Sequence, residues 1–518
     1  RRRPRPGATR RTRRTVAASI LAVVVAFGGC DCGGGNNLQG DAEDDAAGDP
    51  EDAPVEIEVT PPLPLLVGFV GQHSEVAVDP TGEIWVSAYS AGASARSSYG
   101  DLVVGTWDRA AREMRWTIVD GVPAGVAPTG DPTGWRDGVS EPGDDVGKYT
   151  TIAIGPDGAP VVAYFDQTNG ALKLARYGVG EPGGWRVNPR PIDDAGEAGR
   201  YADMAIGADG RLSISYNAVE ERTDAPGRFT SKVKVARSSD ATYEIWEIAE
   251  VESVDIQCWK ALCGETRVCL ASERLCATPD AESVCGASGC PTGEACAGGS
   301  CREVFGAPID FPEGIGIVTG IALTPAGDPV VVYYDRTRGD LRQAAFAAGV
   351  WTVTTLAGAD TPPETATDAG WYPSIAIDSA GRRHVAFVDG IREELVYLDP
   401  DGGVREVVDG RSATGRGRTI VGDDSTIRVS PAGVVWISYQ DATQGALVLA
   451  RRTGPGAWDV RTVDDEDFSG FYANMVLAGP SGETPVISAY FHRTTAGGSA
   501  TRTTYTYVSG VRVFEIAP

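Results

Sequence analysis

Four stretches of this 518-residue chain place the same residue types at the same spacing, and those types can hold a ligand. They read DDVGKYTT (Asp144–Thr151), DDAGEAGRYAD (Asp193–Asp203), TDAGWYPS (Thr367–Ser374) and DDEDFSGFYAN (Asp464–Asn474). Each supplies acidic residues, a Gly, a variable residue, a Tyr and, after one more residue, a small polar side chain. A phenol both donates and accepts hydrogen bonds, and a carboxylate accepts them. Tyr149, Thr151, Tyr201, Asp203, Tyr372, Ser374, Tyr472 and Asn474 are therefore the candidate binding residues for a sugar, a peptide or a cation. Asp and Gly also make turns, and Tyr can cap a sheet, so the pattern has a structural use as well.

Signals for catalysis are sparse. There is no H-E-x-x-H, G-x-S-x-G, P-loop, dinucleotide fingerprint or D-x-D-x-D-G calcium loop. The three histidines, His73, His384 and His492, stand far apart in the chain. Asp166, Asp335, Asp389 and Asp441 recur at one position and read as turn-formers. No catalytic residue, metal ligand or cofactor is assigned.

The binding stretches recur because the chain repeats. The clearest copy reads TIAIGPDGAPVVAYFDQTNGALKLAR, Thr151 to Arg176. The central residues of its first apolar run and the equivalents are Ala77, Ala153, Ala205, Ala322, Ala376, Arg428 and Val476, with four steps of 52, 54, 52 and 48 residues. The two longer steps contain insertions, Gly121–Gly147 and Cys258–Cys301. Each copy holds four short runs rich in Val, Ile, Tyr and Trp, bounded by Gly, Pro, Asp and Asn, which is the strand signature. Turns such as Asp157-Gly158 and Asp209-Gly210 join the first two runs as tight hairpins. A lone four-stranded sheet cannot bury both faces, so this pattern predicts an all-β, seven-bladed β-propeller of four-stranded antiparallel blades. Small residues such as Ala153, Ala205 and Ala376 suit its crowded centre, while Trp116, Trp185, Trp246, Trp351 and Trp458 pack between blades. The loops entering each first strand then share one face, which gathers the candidate residues around the channel mouth. The last copy reads as complete, ending with Val511–Ile516, so the ring closes by face packing, with Val55–Val59 or Leu63–Val70 available as an added outer strand.

The repeats resemble a widespread bacterial propeller family with blades of the type Y-x-S-I-A-I-D-x-x-G-x-P-x-x-x-Y-x-D-x-x-x-G-x-L. The resemblance lies in Tyr372, Ser374–Asp378 and Gly381, in Tyr164, Asp166, Gly170 and Leu172, and in Tyr334, Asp335, Gly339 and Leu341. It covers most of residues 72 to 516 and implies a propeller on an exported protein, distantly similar to sialidase-like (BNR-type) blades. The Ser-x-Asp-x-Gly-x-Thr-Trp box of those blades is absent; Asp79-Pro-Thr-Gly82-Glu-Ile-Trp85 has the wrong spacing.

The N-terminus reads as a targeting segment. Eight Arg within residues 1–14 precede an apolar stretch, Val16–Phe27, and then Gly28-Gly29-Cys30. The apolar run falls short of the ~20 residues that a spanning helix needs. Residues 1–30 are similar to a bacterial lipoprotein signal peptide, and that resemblance implies lipidation of Cys30 and a place in the cell envelope, with simple secretion if Cys30 is not lipidated. Residues 31–60 hold acidic residues without a basic one and read as a disordered tether to a propeller at 61–518. The formal net charge is −25, and without the eight N-terminal Arg the balance is 38 basic against 71 acidic residues. Such a chain does not bind nucleic acid electrostatically, and membrane contact would run through the lipid alone.

Residues 257–302, between the third and fourth copies, carry Cys258, Cys263, Cys269, Cys276, Cys285, Cys290, Cys296 and Cys301. No C-x-x-C pair and no His falls inside, which argues against zinc and for four disulfides in an oxidising compartment. Eight cysteines allow 105 pairings and the spacing does not choose among them. The insert resembles small epidermal-growth-factor-like or knottin-like modules. Together these features point to a non-catalytic, lipid-anchored binding or adhesion protein that presents its mouth and its Cys-rich loop to a glycan or protein ligand. The alternative is a carbohydrate-active enzyme, a sialidase-like glycoside hydrolase or a lyase.

Overall fold

The computed structural model describes residues 58–60 and 69–517, except 92–99, 132–134, 179–180, 182–183, 287, 307–312, 359–367, 411–418 and 500–501. The targeting segment, Cys30 and the tether up to residue 57 lie outside the described residues. Short apolar runs separated by Gly and Asp turns pair with their sequence neighbours, which gives seven sheets of four strands. Their inner strands are Val70–Val78, Val146–Ile154, Glu197–Ile206, Ile315–Leu323, Ala369–Ile377, Val421–Val429 and Phe468–Ala478, in blades 1 to 7. Each inner strand packs against the next, and that of blade 7 against that of blade 1, so the ring is closed.

Apolar burial sits between blades. Ala77, Leu102 and Val104 of blade 1 share a core with Ile152, Val162, Tyr164 and Trp185 of blade 2. Trp116, Trp246, Trp351 and Trp458 occupy the corresponding places at four other interfaces. Polar latches cross the same interfaces. The Tyr164 hydroxyl donates to Asp120 (2.6 Å), that of Tyr216 to Asp193 (2.7 Å) and that of Tyr439 to Asp409 (2.7 Å). In each latch a carboxylate left behind by one blade accepts from the second strand of the next. The Lys234 ammonium also reaches Asp193, at 3.0 Å. Asp166, Asp335, Asp389 and Asp441 are turn-formers, each accepting the backbone N–H three residues on, at 2.9, 3.0, 2.9 and 3.0 Å.

The ring closes with an added outer strand that overlaps the Val55–Val59 option of the sequence, but the last blade is not complete by itself; residues 63–68 of the other option lie outside the described residues. Blade 7 supplies three strands of its own, Phe468–Ala478, Thr484–Ser499 and Arg502–Glu515. The second and third are the longest strands described and form one hairpin that runs past the mouth-side turns of the other blades. The fourth strand is Glu58–Thr60, parallel to Thr504–Thr506 on that hairpin. The acidic stretch therefore ends in a strand. Val59 and Thr60 favour this, because β-branched residues suit a pleated surface. The inner edge is closed by side chains: Asn474 of blade 7 donates to Glu75 of blade 1 (3.2 Å) and accepts from the Val76 N–H (3.2 Å).

The Cys-rich insert forms two hairpins, Val268–Leu270 with Leu275–Ala277 and Glu294–Ala297 with Ser300–Glu303. Its disulfides are Cys258–Cys269, Cys263–Cys276, Cys285–Cys296 and Cys290–Cys301. Each half thus joins its first Cys to its third and its second to its fourth. The insert rests on the mouth-side turn of blade 3, where the Cys276 N–H donates to Gly227 and Arg267 forks onto Glu221 at 2.7 and 3.0 Å.

Two measurements follow. Non-reducing peptide mapping should recover these four pairs and no bridge between the two halves; a crossed pair would refute the two-module description. Asn474→Ala, which removes both bonds that Asn474 makes to blade 1, should cost about 1–3 kcal/mol in denaturant unfolding.

Candidate functional site

Every inner strand begins with the same backbone device. A Gly at positive φ is followed, after one residue, by a second residue in the left-handed region. The seven second residues are His73, Tyr149, Tyr201, Val318, Tyr372, Asp424 and Tyr472, with φ between 47 and 57°. All seven inner strands slip register against their second strands at this point, the mark of a β-bulge. Gly is required there by close approach: a Cβ on Gly147 would lie 2.7 Å from the Leu102 Cα. Val318 is β-branched and takes the strained conformation too, so the blade imposes it and tyrosine does not choose it. The bulge turns one side chain per blade toward the channel.

The result is a ring at the mouth-side end. His73 packs between Tyr149 and Tyr472 (ring centroids 4.6 and 4.8 Å), and Tyr149 continues to Tyr201 (4.6 Å). These four aromatic rings cover blades 7, 1, 2 and 3. The arc is broken across blades 4 to 6, where Val318, Tyr372 and Asp424 stand. Tyr372 is half-buried near Asp423, Asp424, Tyr472 and Tyr201; desolvation and then the aspartates hold its phenol well above the usual range. Burial, then the charge of Asp424, pushes the Asp423 carboxyl up to about 7. Burial raises Asp424 to about 6, opposed by the Tyr472 N–H that its Oδ2 accepts at 2.6 Å. Burial, aided by Lys148, lowers His73 to about 3, so its imidazole is neutral.

Two residues below the ring lies a second tier: Glu75, Thr151, Asp203, Gly320, Ser374, Thr426 and Asn474. Most of its polar groups bind blade to blade. Glu75 accepts the Ile152 N–H (2.7 Å), Asp203 that of Ile321 (2.8 Å) and Ser374 that of Ile427 (3.1 Å). Burial, then the nearby charge of Asp203, lifts Glu75 to about 8, and burial raises Asp203. The third tier is Ala77, Ala153, Ala205, Ala322, Ala376, Val476 and, alone among them in size, Arg428. Its guanidinium donates to the Ile427 carbonyl (2.8 Å) and acts electrostatically on both Glu75 and Asp203. One cation thus serves carboxyls from blades 1 and 3.

The structure brings all eight sequence candidates to the channel wall: Tyr149, Tyr201, Tyr372 and Tyr472 in the ring, Thr151, Asp203, Ser374 and Asn474 in the tier beneath. Asp203, Ser374 and Asn474 spend hydrogen bonds on neighbouring blades. Sequence reasoning missed His73, Glu75, Asp423, Asp424 and Arg428. The signal was present as the unvaried Gly in Gly71-Gln72-His73-Ser74-Glu75 and Gly422-Asp423-Asp424-Ser425-Thr426, where Tyr is replaced. His384 is a buried structural group bonded to the Tyr397 hydroxyl at 2.8 Å. Among the described residues, the side chains close enough to share a metal ion are cysteines already joined in disulfides.

With this geometry in view, the class is a seven-bladed β-propeller with a tyrosine-ringed channel. No protein family matches the sequence, and no curated protein matches it. Among solved structures, the α-L-arabinofuranosidase Arb93A of Fusarium graminearum is 12% identical, over 71% of this chain and 92% of its own, with a TM-score of 0.40. The polysaccharide lyase Uly1 is 10% identical over 85% and 89%, with a TM-score of 0.42. Trypanosoma rangeli sialidase is 9% identical over 76% and 54%, with a TM-score of 0.37. Likeness at this level carries no weight for activity.

The raised carboxyls give a pH test. The folded protein keeps protons on Glu75, Asp423 and Asp424 up to about pH 8, 7 and 6, whereas the unfolded chain releases them near pH 4. The stability they contribute is full below about pH 4 and is lost as pH rises through those values. The urea midpoint should fall between pH 5 and pH 8, and Glu75→Gln should reduce that fall; equal slopes would contradict the assignment.

Proposed function

We propose that this chain is a carbohydrate-active enzyme, a glycoside hydrolase working at the tyrosine-ringed mouth and carried on the bacterial cell envelope by lipidated Cys30. The observation that carries this reading is the placement of Asp423 and Asp424 together at the bulge of blade 6, between the Tyr372 and Tyr472 positions, where burial raises both carboxyls above the usual range. Near neutral pH such a pair offers both a carboxylic acid and a carboxylate. Glycoside hydrolysis uses one to protonate the leaving oxygen and the other to activate water or attack. The phenols and the neutral imidazole of His73 would hold sugar hydroxyls without adding charge. A hydrolase fits better than a lyase, because lyase substrates carry carboxylates and this chain has a net charge of −25.

A second reading, the non-catalytic adhesion module expected from the sequence, uses the same mouth. It is favoured by Asp203, Ser374 and Asn474, whose hydrogen bonds stiffen the ring and leave less polar capacity for chemistry. The two readings separate on turnover. On a panel of neutral polysaccharides, reducing-end release by the wild type should fall about a hundredfold or more in Asp424→Asn, with sugar binding kept. Binding without release by the wild type would select the adhesion reading.

A further inference from the structure

Of the large apolar side chains at the mouth side of the blades, three on adjacent blades are the most exposed. Ile391 is 58%, Ile420 57% and Phe468 55% exposed. They are linked by bonds that fix their order along the rim. Ile391 belongs to the mouth-side turn of blade 5, and Glu393 of that turn accepts the Thr419 hydroxyl (3.1 Å). Next to Thr419, the Ile420 N–H donates to Thr443 in the turn of blade 6 (2.7 Å). That turn ends at Gly445, whose carbonyl accepts the Ser469 N–H (3.0 Å). The Cδ1 edge of the Phe468 ring lies against Gly445, where an added Cβ would be 2.7 Å from Cδ1. One face of Phe468 stacks on His492 of blade 7, at 5.5 Å and 28°. Phe468 is thus pinned by a turn at its edge and an imidazole on one face while more than half of it stays exposed, at little further entropic cost to a ligand.

Inside this arc stand the Asp423–Asp424 pair, three and four residues beyond Ile420, with Tyr372 and Tyr472 on either side. Polar groups alternate with the apolar ones along it: Thr443, Gln444 and His492. Sugar rings present this surface, with apolar C–H faces and hydroxyl edges. Burying the arc against a polyanion is disfavoured by the net charge of −25. We infer that the rim of blades 5 to 7 is a subsite for a linear neutral glycan, with Phe468 stacking on the sugar unit next to the one held at Asp423–Asp424. This rests on the reading of the mouth as a sugar site and adds that the substrate is a chain and not a single sugar.

The test is direct binding by the full chain, measured calorimetrically with linear oligosaccharides of xylose, mannose and glucose from one to six units long. Affinity should rise about tenfold between one and three units for the matching sugar. Phe468→Ala should remove about five- to tenfold of that gain and leave the single sugar unaffected, and Phe468→Trp should restore it. Asp424→Asn should keep the dependence on length. A series with no gain on lengthening, or a Phe468→Ala protein that follows the wild type, overturns the subsite and leaves the mouth reading standing. Failure of every sugar to bind overturns both.

Discussion

The bulge that opens each inner strand is the constraint on which the rest of this molecule depends. It spends one residue per blade in a left-handed conformation that costs of order 1 kcal/mol for a residue with a side chain. Inter-blade packing and the bonds of the second tier offset that cost. The bulge points a side chain toward the axis at the same height in all seven blades, so a change of residue at one position alters the ring without altering the blade. Tyr, His, Val and Asp all occupy it with φ within 10° of one another. The backbone fixes place, and the sequence is free to vary the chemistry.

Symmetry of backbone with asymmetry of side chains is what gives the channel two unlike sides. Blades 7, 1, 2 and 3 line it with touching aromatic rings. Blade 6 brings two carboxyls, and it alone sends an arginine into the tier that its siblings fill with Ala or Val. Both departures fall on one blade. Desolvated carboxyls are tolerable when a cation stands within reach or when they keep their protons, and this channel uses both devices.

Much of the fold was legible because propellers are written in local terms. Fifty-residue spacing, Asp-Gly and Ala-Gly hairpins and outer-strand tryptophans each report on one blade, and no long-range information was needed to count seven. The candidate tyrosines were legible for the same reason, since Tyr149, Tyr201, Tyr372 and Tyr472 repeat within their local frames. Glu75, Asp423 and Arg428 were not, because their meaning lies in the residues they face across the ring, far away in the chain. Reading the unvaried Gly as the anchor, instead of the Tyr, would have recovered His73 and Asp424. The added outer strand was legible near Val59, but the last blade was credited with four strands of its own because the end of the chain imitates a blade: Arg502–Glu515 looks like two short strands and is one long one. The pairing of cysteines was out of reach, since spacing constrains loops and not partners.

The parallel pairing of Glu58–Thr60 with Thr504–Thr506 has a mechanical consequence. Tension on the preceding chain, directed along that strand, loads its short ladder in shear, so several bonds must yield together. The inner edge, stapled by Asn474 to Glu75 and Val76, lies off this line of force. A tug on this segment can strip the outermost strand and leave the wheel of inner strands intact.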